Sequence, residues 1–108
     1  MGTAMMTIKI SRDFSPFPAG RFRIDGKYSA EAFRDNILIP AIENNDVICI
    51  DFDGGFGYAS NFLEEVFGGL IRSGYTKDKL LKQLQFISKD DPSLISEVIS
   101  YLEINSWY

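Results

Sequence analysis

Val47-Ile48-Cys49-Ile50-Asp51-Phe52-Asp53-Gly54-Gly55-Phe56-Gly57-Tyr58-Ala59-Ser60-Asn61-Phe62-Leu63-Glu64-Glu65-Val66-Phe67-Gly68-Gly69-Leu70 decides how this 108-residue chain is read. Val47 to Phe52 is a nearly unbroken apolar run, the mark of a central strand buried on both faces. A glycine-rich turn follows. Phe62, Leu63, Val66, Phe67 and Leu70 then recur at spacings of three and four, which predicts an amphipathic helix. Ser60 and Asn61 fall at the start of that helix. There, side-chain oxygens cap free backbone N–H groups and anions are favoured. The junction is either a simple helix cap or a place for phosphate chemistry.

Working outward, Thr7 to Ile10 reads as a strand, with Ile8 and Ile10 on one face. Pro16 and Pro18 make residues 11–20 a loop. Arg21 to Asp25 alternates again through Phe22 and Ile24, and Asp25-Gly26 is a turn signal, so these two strands could form a long-looped hairpin. Ser29 is the expected N-cap of a helix turning Ala32, Phe33, Ile37 and Leu38 inward; Pro40 should kink or restart it. Thr76 should cap a helix reaching about Leu84 with Leu80, Leu81 and Leu84 inside. Gln85 to Ser88 is the last expected strand. Asp91-Pro92 starts a helix whose inner face is Leu94, Ile95, Val98, Ile99 and Leu102. Gly68-Gly69 costs about 1 kcal/mol per glycine within a helix, which points to close packing against a strand. The expected architecture is α/β: a small mixed sheet of about four strands covered by helices. Residues 1–6 read as a loose N-terminal segment, with Met5 or Met6 open as initiators, and residues 7–108 as one domain.

Composition narrows the function. Apolar residues make up 45% and charged residues 24%, with nine Phe and five Tyr, as in a globular domain with a large core. The net charge is −4 and no basic face is evident, so nucleic acid is not expected as a direct partner. No apolar stretch approaches the roughly 20 residues of a membrane span. Cys49, the single cysteine, reads as a small buried hydrophobe, and a cytoplasmic protein is expected. There is no histidine, which removes Ser-His-Asp and Cys-His chemistry and most zinc sites. An enzyme would have to work with carboxylates, lysine or a metal, and the expectation is a non-enzymatic protein with no cofactor and no metal.

Several groupings could still carry chemistry. Gly54, Gly55 and Gly57 lack the Lys-Ser/Thr of a phosphate-binding loop and the third glycine of a dinucleotide fingerprint. Asp13, Asp51, Asp53, Asp90 and Asp91, with Ser88 and Lys89, lie at expected strand ends, as acids do around a magnesium-dependent phospho-acceptor. They also lie where solvated loops place them. Glu64 and Glu65 suit the positive helix end and could form an acidic rim for a partner. Arg12, Arg21, Arg23 and Arg34 could frame an anion pocket or pair with the surplus acids.

Across about residues 8–105 the chain resembles a STAS-like family of unknown function, related to the STAS fold of anti-sigma factor antagonists. The resemblance rests on Gly20-Arg21, Asp25-Gly26, Ser29, Glu31-Ala32-Phe33-Arg34, Pro40 and, above all, Phe62-Leu63-Glu64-Glu65-Val66-Phe67-Gly68-Gly69-Leu70. In the antagonists a serine at this helix start is phosphorylated by a histidine-kinase-like ATPase. Laid on this chain that serine is Ser60, with Leu63 matching the antagonists' leucine. Ala59 replaces their aspartate and Asn61 their second serine; relatives resembling this chain often carry serine where Asn61 stands.

The resemblance implies a regulatory module binding a histidine-kinase-like ATPase through Gly55, Phe56, Tyr58, Asn61, Glu64 and Glu65, with Ser60 as phospho-acceptor. The alternative is a small-ligand or anion sensor using Arg21, Arg34 and the glycine turn. An exposed apolar patch near Phe56 and Tyr58 would favour the first; an enclosed arginine-lined pocket would favour the second. Tyr101, Trp107 and Tyr108 could cover the core or mediate a homodimer.

Overall fold

The apolar run Val47–Asp51 does form the central strand, β2, of a three-stranded sheet. A computed structural model describes residues 4–107. β1 (Met5–Lys9) and β3 (Leu84–Ile87) flank β2, and both pair with it in parallel. Met5 pairs with Val47 and Lys9 with Asp51 on one side; Ile48 pairs with Leu84 and Asp51 with Ile87 on the other. Met5 and Met6, read as part of a loose N-terminal segment, are thus sheet residues, while the rest of that segment up to Thr3, and Tyr108 at the other end, lie outside the described residues. Ile10 opens a single helical turn, α1 (Ile10–Asp13).

The sheet is parallel rather than mixed, and it has three described strands rather than four. The expected strand at Arg21 to Asp25 is absent: Arg23–Asp25 is a 3-10 turn, with Asp25 Oδ2 accepting from Phe22 N at 2.9 Å. Its alternation misled because Phe22 and Ile24 are both exposed, 46% and 93%, so no face of this segment is buried. No hairpin forms.

Two long helices follow from the two crossovers. α2 spans residues 30–44 and α3 spans residues 60–72; each has a wider, π-helical middle, Arg34–Leu38 and Glu64–Gly68. Ser29 caps α2 as expected, its Oγ accepting from Ala32 N at 3.2 Å. Pro40 does not break the helix. The π-helical turn ends just before it and widens the backbone where a proline ring would strike the carbonyl one turn back. α4 (Lys77–Gln83) is capped by Thr76, and α5 (Ser93–Asn105) follows β3, with Asp91 Oδ1 accepting from Ser93 N.

Because the strands lie in chain order and parallel crossovers are right-handed, the crossover helices fall on one face of the sheet. Burial agrees. Ile8, Ile48 and Ile50 are fully buried, while on the reverse face Met5, Thr7 and Gln85 are exposed and Val47, Cys49 and Asp51 partly so. β2 is therefore central but covered on one face only. Under the helices Phe33, Phe62 and Phe67 are fully buried, and Phe67 meets Phe52 and Phe86 with ring centroids 6.3 and 5.9 Å apart. Leu80 and Leu84 face in as expected. Leu81 does not, at 40% exposure.

Candidate functional site

The β2–α3 junction is fixed by hydrogen bonds at nearly every step. Asp51 Oδ1 accepts from Asp53 N at 2.9 Å, Asp53 Oδ1 from Asp90 N at 2.8 Å and Asp90 Oδ2 from Gly54 N at 3.0 Å. Ser11 Oγ donates to Asp53 O at 3.1 Å. Gly54 is required here: its φ is +87°, and a Cβ would lie 3.1 Å from Ser11 Oγ. The strand-end acids thus bind backbone N–H groups, and among the described residues no cluster of His, Cys, Asp and Glu is placed to hold a metal.

What this rigid turn presents is aromatic. Phe56 N donates to Pro16 O at 3.1 Å, and the Phe56 ring stacks on Phe17 with centroids 4.2 Å apart and planes 4° from parallel. Both rings stay in solvent, Phe17 at 64% and Phe56 at 73% exposure. Phe22, Ile24 and Tyr28 are exposed on the same 16–28 loop. Tyr58 turns inward: its hydroxyl donates to Phe52 O at 3.1 Å, and burial pushes its pKa up to about 12. Phe17, which completes the stack, is the residue that sequence reasoning missed. It lies 39 positions from Phe56 in the chain, and only its apolar character between Pro16 and Pro18 hinted at a role.

Ser60 is the first residue of α3 and is exposed, as is Asn61; Ala59 is the N-cap and no side chain caps the helix. The simple-cap reading is therefore corrected. Nearby, on α5, the Tyr101 phenol donates to Glu97 Oε2 at 2.7 Å.

Glu64 and Glu65 form no exposed rim. They are the hub of an ion-pair network joining the 16–28 loop and three helices. Arg21 Nη1 lies 2.6 Å from Glu64 Oε1; Arg34 Nη1 lies 2.7 Å from Glu65 Oε2 and donates to Glu65 O at 3.0 Å. Arg72 Nη1 lies 2.8 Å from Glu64 Oε2, and Asn105 Nδ2 donates to the same oxygen at 2.9 Å. The Arg34 and Glu65 side chains are only 12% and 9% exposed. Burial alone would raise the Glu64 carboxyl, but hydrogen bonds from Arg72, Arg21 and Asn105 outweigh it and hold the pKa at about 2.

This network also explains Gly68-Gly69, which pack against side chains rather than a strand. A Cβ on Gly68 would overlap Glu64 Oε2 and Asn105 Nδ2, and one on Gly69 would overlap Arg34 Nη1. Arg21 and Arg34, the residues proposed for an anion, thus have their guanidiniums on carboxylates. The depressions around Tyr75, Gln83 and Met6 contain no arginine.

Among the described residues, no helix is long and apolar enough to cross a membrane. No curated protein and no solved structure matches the chain. Residues 29–94, more than half of it, match the family described as a STAS-like domain of unknown function (DUF4325). That span runs from the Ser29 cap through the aromatic turn and the Glu64–Glu65 hub to the start of α5, and the chain belongs to this family.

Proposed function

We propose that this domain is a non-enzymatic protein-interaction module whose docking surface is the Phe17–Phe56 stack with the neighbouring apolar loop residues. The observation that carries the reading is a parallel aromatic pair left in solvent by a loop that hydrogen bonds hold on both sides. Large exposed aromatics on a rigid turn cost solubility and add little to the fold, and such residues are the usual anchors of protein interfaces. The commitment of Arg21 and Arg34 to Glu64 and Glu65 weighs against the ligand sensor.

The partner this reading takes is a histidine-kinase-like ATPase, as the resemblance to STAS antagonists implies, with Ser60 as the regulatory hydroxyl. Ser60 begins the helix that follows the aromatic turn, and its exposure leaves it open to a kinase. A phosphate there adds about −1.5 to −2 charges at a position the helix dipole tolerates. Partner binding, not folding, would respond.

The test is capture from native lysate with wild type, Phe56→Ser and Ser60→Asp as baits, with phosphate mapped by peptide mass spectrometry. An ATPase retained by wild type and lost by both variants supports the module. Equal capture by Phe56→Ser removes the aromatic stack from the interface, and equal capture by Ser60→Asp removes the switch.

A further inference from the structure

β1 is an edge strand without the usual guards. Ala4, Met5, Met6 and Thr7 are all exposed, with no proline, bulge or charge among them; the first charge is Lys9 at the far end. Such an edge is a template for another strand.

The directions of its backbone groups set what can pair there. Ala4 O accepts from Asp46 N at 2.9 Å and Val47 N at 3.1 Å, so Ala4 faces β2. Backbone groups of successive strand residues alternate in side, so Met6 and Ile8 also face β2 while Met5, Thr7 and Lys9 face outward. The outward Lys9 N–H is already taken, donating to Asp13 Oδ2 at 2.8 Å. Among the described residues nothing pairs with the outward N–H and C=O groups of Met5 and Thr7, which are thus open to a newcomer.

We propose that a second copy of this chain occupies this edge, β1 pairing antiparallel with β1 of its twin about a two-fold axis at Met6. In that register Met5 of each copy faces Thr7 of the other, and all four free donors and four free acceptors are satisfied. The ladder stops where Asp13 caps Lys9. Met6 meets Met6 as the non-hydrogen-bonded pair, in which side chains approach most closely.

Two further features fit a second copy. Met6 borders a depression of about 380 Å³ lined by Ile37, Pro40, Ala41, Asn36 and Asn44, without a charged residue. An edge pair alone is small for a stable dimer, and this groove adds apolar surface beside the seam. Charge is compatible too: Lys9, the one charged residue of the strand, is paired with Asp51 of its own chain. Antiparallel pairing about Met6 puts the two Lys9 residues at opposite ends of the seam and keeps their side chains apart.

The experiment is sedimentation velocity on the whole chain over a dilution series. Wild type is expected to approach twice the monomer mass, and Met6→Lys to remain monomeric with an unchanged circular dichroism spectrum. A second measurement uses Met6→Cys with Cys49→Ala under mild oxidation. It should give a disulfide-linked dimer, whereas Met5→Cys in the same background should give little, since Met5 faces Thr7. Wild type monomeric throughout, a dimer indifferent to Met6→Lys, or equal cross-linking at positions 5 and 6 would overturn the proposal.

Discussion

Phe56 and Glu65 are fewer than ten residues apart, yet each breaks the ordinary pattern of burial in the opposite sense. Phe56 is a large apolar ring held in water at 73% exposure; Glu65 is a carboxylate with a side chain only 9% exposed. The buried charge has a structural reason. It is matched by Arg34, its neighbours Arg21 and Arg72 engage Glu64, and two glycines clear space for the guanidiniums. The exposed ring has none, since its one aromatic partner, Phe17, is exposed as well. Internally satisfied oddities speak of architecture, and unsatisfied ones of function.

The sharpest break in this comparison is Glu65→Ala. It leaves the largely buried Arg34 guanidinium with Asp35, 3.0 Å from its Nε, in place of two carboxylates. This should cost about 3 kcal/mol, the low end for breaking a buried pair, read from chemical denaturation. The double variant Glu65→Ala/Arg34→Met should recover much of that loss, because the stranded charge is gone. A double variant no better than the single one would mean that the pair does not carry the effect.

Gly69→Ala comes next, and its sign is informative. Alanine in place of a helical glycine normally stabilises by roughly 0.5–1 kcal/mol. Here the new Cβ would overlap Arg34 Nη1 and lie 3.1 Å from Cζ, so the guanidinium must leave Glu65. A net loss of about 1–3 kcal/mol is expected from overpacking. A gain would show that Arg34 has room to swing aside.

Acid should read out the same hub. The folded Glu64 carboxyl sits at about 2 against an ordinary 4.5. A depressed folded pKa adds stability that is complete above 4.5 and is lost as pH falls toward 2. Melting temperature should therefore drop over that window, and Glu64→Gln should flatten part of the drop while lowering stability at neutral pH. Parallel pH profiles for the two proteins would remove Glu64 from the acid response.

These features were unequally legible in the chain. The apolar run to Phe52, the glycine turn and the spacing from Phe62 to Leu70 marked β2 and α3, and Ser29 and Thr76 marked their helix starts, because each signal lies within a few consecutive residues. The Arg21–Glu64 and Arg34–Glu65 pairs span 43 and 31 residues, so composition could offer only pairing or pocket as alternatives. A local clue did exist: a costly Gly-Gly directly after Glu64 to Phe67 signals something lying flat on the helix. At Phe22 and Ile24 the alternation was real, but it described exposed residues on an irregular loop, and periodicity carries no information about what covers a face.

The smallest expected effect on stability is the most telling. Phe56→Ser removes a ring whose loop is held by backbone hydrogen bonds and by Asp90 and Ser11 rather than by the ring itself. An exposed aromatic pair contributes at the low end of roughly 0.5–1.5 kcal/mol, so thermal unfolding should move by less than about 1 kcal/mol. Affinity for the partner should instead fall at least tenfold, since an anchor ring is lost from the centre of the surface. A large stability loss would make the Phe17–Phe56 stack an outlying piece of the core. Its exposure would then be as structural as the burial of Glu65, and the contrast between the two regions would vanish.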